Sequence, residues 1–142
     1  MSDHQRQRVY KAEHSIDSMG VPMPTIGHAR ALVKVIERLP WYPARCKGLM
    51  VSTTFQSRKA FYSQGCVHLP AIGVPGWEWA YTDLVISHEV AHHLDTSRSH
   101  GPVFTSYLLR ILDGIGRTAT ATALKQAYAH HGVDVYQRKD TA

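Results

Sequence analysis

Three histidines and one glutamate have the types and spacing for metal-assisted hydrolysis: His88, Glu89, His92 and His100. His88-Glu89-Val90-Ala91-His92 is an HExxH pattern. In a helix, residues four apart stand on one face, so both imidazoles can reach a single zinc ion at about 2.0–2.1 Å. Glu89, next to the first of them, can then reach a water on that ion. A catalytic zinc needs three protein ligands and one open position. His93 is turned about 100° from His92 around the helix, and Asp95 lies about 10 Å along the axis from His88. His100 is the better third ligand, because the polar turn from Thr96 to Ser99 lets the chain reverse. Zinc held in this way brings the pKa of a water toward neutrality and polarises a carbonyl, while Glu89 takes the proton and passes it to the leaving group. Tyr81, Arg98 and Tyr107 are candidates for an oxyanion donor. Asp95 either orients a ligand imidazole or ends the helix.

The elements that must position these groups are legible in the hydrophobic pattern. Thr82 or Asp83 can cap a helix that continues through LVISHEVAHHL to about Asp95, with Ile86, Val90 and Leu94 on its core face. Pro102 suits the first turn of a following helix whose stripe is Phe104, Leu108, Ile111 and Leu112, stopped by Gly114 and Gly116. A last helix covers about Thr118 to His131 and closes at Gly132. Upstream, Thr25 caps a helix carrying Ala29, Leu32, Val33, Ile36 and Leu39, which Pro40 ends. Three short segments rich in β-branched and aromatic residues, 48–54, 60–64 and 66–69, read as a small, mostly antiparallel sheet. The stretch 70–79 has two Pro and two Gly and reads as a loop, with Trp77 and Trp79 expected to be buried.

Composition sets the frame. The chain has 142 residues, 16 Lys+Arg against 11 Asp+Glu, and 44% hydrophobic residues, which fits one globular domain. A domain of that size buries roughly two thirds of the surface its unfolded chain exposes and needs no metal to hold its core. Residues 1–24 read as an N-terminal arm, 25–135 as the domain and 136–142 as a mobile tail. The polar start lacks the apolar stretch of a secretory signal, and no apolar run is long enough for a membrane span, so a cytoplasmic location is expected. Cys46 and Cys66 are expected to be reduced and buried. The net charge of +5 is spread thinly. Arg30, Lys34 and Arg38, spaced four apart, read first as a solvated helix face, and contact with nucleic acid stays an alternative.

The opening QRQRVYKAEH, the block HEVAHHLD and the following HGPVF resemble a family of small actinobacterial and actinophage HExxH zinc metallohydrolases. More distantly, HExxH followed by HGPxF is similar to SprT-like, Spartan-type zinc metalloproteases, which cut proteins crosslinked to DNA. The resemblance implies that His88, His92 and His100 are zinc ligands, that Glu89 is the catalytic acid/base, and that Phe104 is a packing residue. His100 follows His92 by eight residues, closer than in Spartan and farther than in metzincins. Asp95 stands where the metzincin pattern has glycine.

These readings converge on an α+β, minimal zincin-like fold with helices on a small sheet and the HExxH helix in its centre. The function expected is zinc-dependent hydrolysis, with a peptide or protein as substrate and strand 66–69 offering its edge to an extended peptide. Two other classes remain in play: an interaction protein with a structural or vestigial zinc site, and a basic nucleic-acid-binding module.

Overall fold

The computed structural model describes residues 3, 5–97 and 99–135. Arg98 and the tail 136–142 lie outside the described residues. The segment read as an arm folds into helix α1 (Arg6–His14), because Val9, Ala12 and Ile16 recur at helical spacing and all three are buried. Helix α2 (Ile26–Glu37) starts where expected: the Thr25 hydroxyl accepts the His28 backbone N–H at 3.2 Å, and Ala29, Val33 and Ile36 face inward.

Strands β1 (Met50–Thr54), β2 (Phe61–Ser63) and β3 (Cys66–Pro70) form one sheet in the order β1-β3-β2. Residues Gln64 and Gly65 both have positive φ, 48° and 77°, which makes the two-residue turn that folds β2 back along β3. The sheet departs from the mostly antiparallel expectation. β2 pairs antiparallel with β3, but β1 pairs parallel with it, placing Val51 beside Val67 and Thr53 beside Leu69. The reason is topological: the chain leaves β1 at one edge, crosses to the other edge for β2, and turns back into the centre. The expected peptide-binding edge at 66–69 is therefore not available, because β3 is the middle strand. The edges are β1 and β2, and on β1 the Arg30 guanidinium already donates to the Val51 carbonyl at 3.1 and 3.2 Å.

The stretch 70–79 is only partly a loop, since a short helix α3 (Trp77–Ala80) closes it. Trp77 is half-buried against Tyr81, whereas Trp79 is 44% exposed, contrary to the expectation of burial. Helix α4 (Asp83–Leu94) lies at the centre. It packs against α2, the sheet and helix α5 (Pro102–Gly114), which in turn packs on helix α6 (Thr118–His130); α6 contacts α1. Being covered on several sides, α4 buries residues nearly all round, including Ile86, Val90 and Leu94. Thr82 caps it, its hydroxyl accepting from the Val85 N–H at 3.2 Å. Asp83 has another duty. Fully buried, it accepts from the Val21 N–H at 2.7 Å and from Arg117 Nε at 2.7 Å, tying the start of α4 to the N-terminal segment and to the α5–α6 turn.

The result is an α+β molecule with six helices and a three-stranded mixed sheet among the described residues. None of those helices is long and apolar enough to cross a membrane. Cys46 is buried and Cys66 only half-buried, and both are free thiols.

Candidate metal centre

His88 and His92 stand one turn apart on α4, and the turn after Asp95 brings His100 back to them. The ring centroids lie 4.9 Å apart for His88–His92, 5.4 Å for His88–His100 and 4.6 Å for His92–His100. One ligating atom from each lies within 4.8 Å of the other two, so the three could hold a metal ion. Phe104, fully buried on the first turns of α5, touches all three rings, with centroids at 4.8, 4.5 and 5.0 Å. It supplies an apolar floor that fixes the imidazoles without competing for their nitrogens.

What aims the rings comes from the N-terminal segment. His88 Nδ1 is 2.8 Å from both carboxylate oxygens of Glu13 on α1. His100 Nδ1 is 2.5 Å from Asp3 Oδ2, and the His100 backbone N–H donates to Asp3 Oδ1 at 3.2 Å. The Gln5 side chain donates to the His100 carbonyl at 2.6 Å and pairs with the Asp134 backbone, pinning the same turn. With each Nδ1 committed to a carboxylate, Nε2 of His88 and of His100 is left as the ligand atom. His92 Nε2 lies 3.1 Å from His100 Nε2. Two nitrogens at zinc-bond length from one tetrahedral ion stand roughly 3.3 Å apart, so this separation suits a shared ion as well as the N–H···N hydrogen bond the two rings make without one.

The electrostatics agree. Burial opposes protonation of His88, yet the charges of Glu13 and Glu89 and the Glu13 hydrogen bond hold its pKa up to about 9. Burial, with His88 and His100 beside it, drives His92 down to about 2. His100 is also lowered by burial, against the pull of Asp3. Burial raises Glu89 to about 7, partly offset by His88 and by a backbone hydrogen bond with Tyr62 on β2. Three carboxylates therefore surround three rings that cannot all be charged together. A cation shared by the nitrogens resolves that conflict, and the donor set of three imidazoles fits zinc.

The other candidates fall elsewhere. His93 points away, bonding Tyr62 Oη at 2.8 Å through Nδ1 and the Cys46 carbonyl at 2.8 Å through Nε2. Asp95 ends the helix and builds the following turn, accepting from the Ser97 N–H and hydroxyl at 3.0 and 2.8 Å, and it orients no imidazole. Tyr81 is buried and donates to the Pro70 carbonyl at 2.8 Å, while Tyr107 stacks on Trp41. Neither is on the lining of the cleft beside His88, and the Tyr81 hydroxyl is already committed to the Pro70 carbonyl.

That cleft has a volume of about 930 Å³ and is walled by α1, β2, α3 and α4, with His88, Glu89 and Tyr10 on its lining. Tyr10 packs against the rings of His88 and His100 at 6.0 and 5.1 Å, and burial raises its pKa, leaving a protonated hydroxyl on the cleft wall. A second hollow of about 1090 Å³ between α5 and α6 contains no histidine and lies away from these groups.

No family model, curated protein or solved structure matches this chain. The case for the site therefore rests on its geometry.

Asp3, Glu13 and Tyr10 are the residues the sequence reading missed. A signal for Glu13 was present: it shares the face of α1 that carries Val9, Ala12 and Ile16, and a carboxylate on an apolar face needs a buried partner. Glu13→Gln is expected to weaken zinc affinity about 10- to 100-fold with the fold retained, read by competition with a chromophoric chelator. Asp3→Asn is expected to cost less, since the Asp3 side chain is 23% exposed against 13% for Glu13. Equal affinities for wild type and Glu13→Gln would show that the Glu13–His88 pair does not tune the metal.

Proposed function

We propose that the protein is a zinc-dependent hydrolase with a minimal zincin-like arrangement, and that peptide bonds are its substrates. The observation that supports this reading is the convergence of three imidazoles, two of them with Nδ1 tied to a carboxylate, while the carboxyl of Glu89 lines an open cleft beside His88. His88, His92 and His100 would hold the zinc, which when bound acidifies water and polarises a carbonyl. Glu89 is suited to move the proton. Its carboxyl, on the cleft lining next to His88, is placed to accept a proton from water and return it to a departing amine. Tyr10 would donate its hydroxyl to the developing oxyanion, the task for which Tyr81, Arg98 and Tyr107 are candidates by sequence. Glu13 and Asp3 take the Nδ1 side of two rings and leave Nε2 facing the site, so a metal would displace the Nε2 proton of His88 without turning the ring.

The test is direct. Untagged protein loaded with one equivalent of zinc is incubated with a panel of unfolded proteins, and a sample treated with chelator and dialysed is run beside it. Cleavage should require the metal, return when zinc is added back, and be accompanied by a rise of about 10 °C in Tm when zinc exceeds its dissociation constant a thousandfold. A zinc-loaded sample that leaves the whole panel intact would remove peptide hydrolysis as the function.

A further inference from the structure

The walls of the cleft carry a charge imbalance. Arg6 and Lys11 on α1 face Arg58 and Lys59 in the loop before β2, and all four are exposed. The acidic groups on the same lining are already engaged: Glu13 with His88, Asp17 with His14 at 3.0 Å, and Glu89 beside the imidazoles. Among the described residues none of the four cations has an ion-pair partner. The same lining carries two exposed aromatic side chains, Phe61 at 40%, stacked on His68 at 4.5 Å, and Trp79 at 44% exposure. Phe61 also belongs to β2, an edge strand that among the described residues pairs only with β3 and whose Tyr62 backbone also bonds Glu89.

We infer that the cleft selects acidic polypeptide segments, bound extended along β2, with an apolar or aromatic residue seated between Phe61 and Trp79. The choice of a peptide rests on the hydrolase reading. The charge preference and the apolar seat rest on the cleft itself. A sheet edge recognises polypeptide backbone by the hydrogen bonds it offers, while the basic rim adds sign selectivity and faster encounter. Single-stranded nucleic acid could also use cations and aromatics, but a β-strand edge gives it no matching backbone partner.

Binding can be separated from cleavage by using zinc-loaded full-length protein carrying Glu89→Gln. Three fluorescent peptides of equal length share a central phenylalanine and differ in their flanks, which are acidic, neutral or basic; an oligothymidylate of similar length is the fourth probe. The acidic peptide is expected to bind about tenfold more tightly than the neutral one at low salt, with the basic peptide weakest and the advantage fading as salt rises. Adding Arg58→Glu and Lys59→Glu, both in an exposed loop, should abolish or reverse that order while zinc content and Tm stay the same. Equal or absent binding of acidic and neutral peptides overturns the inference, as does tighter binding of the oligothymidylate. If the acidic peptide binds as expected but wild-type protein cuts nothing, the hydrolase reading fails and the recognition surface stands.

Discussion

Glu89→Gln is expected to keep one zinc per chain and to lose hydrolysis by a factor of about 10² to 10⁴, the range associated with a positioned general acid/base. The two halves of that outcome come from different features. Zinc content is retained because the three imidazoles and their carboxylate partners do not include Glu89. Activity is lost because glutamine, nearly the same in shape, cannot take up a proton. The substitution also removes the carboxyl whose pKa burial raises to about 7, so it relieves a desolvation cost, and the variant is expected to be at least as stable as the parent. Parallel metal analysis, thermal melts and cleavage of whichever panel member the wild-type protein cuts would check all three. Unchanged cleavage would assign Glu89 a merely structural part and favour a different proton acceptor.

His100→Ala should have the opposite signature, with zinc stoichiometry falling from one to near zero at micromolar metal. Two ligands on one helix turn do not hold zinc tightly without a third, and here the third ring also holds Asp3 through Nδ1. The loss spreads beyond the metal. The imidazole's Nδ1 bond to Asp3 is one of the links between the N-terminal segment and the turn ahead of α5, so Asp3 loses one of its two His100 partners, while the bonds of Asp3 and Gln5 to the His100 backbone remain. Zinc should no longer raise Tm in this variant, and exchange of the residue-100 backbone hydrogen, which donates to Asp3, should accelerate. Retention of stoichiometric zinc in His100→Ala would mean that another group closes the site.

The two expectations are diagnostic as a pair. A structural zinc would make His100→Ala destabilising and Glu89→Gln silent, whereas a catalytic one makes both matter, in different assays. A nucleic-acid-binding module with incidental histidines predicts neither metal nor effect. The packing of Phe104 against all three rings already argues that the histidines form one unit.

Much of this was readable from local pattern. The caps at Thr25 and Thr82, the Pro102 start of α5 and the Gly116 stop after it are short-range features, and each acts within a turn of its own position. The same holds for His88, Glu89 and His92, because a period of 3.6 residues decides on its own which side chains share a face. His100 was within reach for a similar reason, as eight residues span only one reversal of the chain.

The rest was decided by contacts that no local rule encodes. Glu13 reaches His88 across 75 residues and Asp3 reaches His100 across 97, so their roles exist only once α1 has docked on α6 beside the site. The parallel pairing of β1 with β3 likewise depends on where the chain returns after β2, and strand composition carries no record of direction. Trp79 stays in solvent because the wall it stands on faces the cleft rather than the core. Periodicity and caps act over one or two turns and so survive in the bare sequence; ring orientation, edge strands and cleft charge are sums over distant segments, which only the folded chain brings into contact.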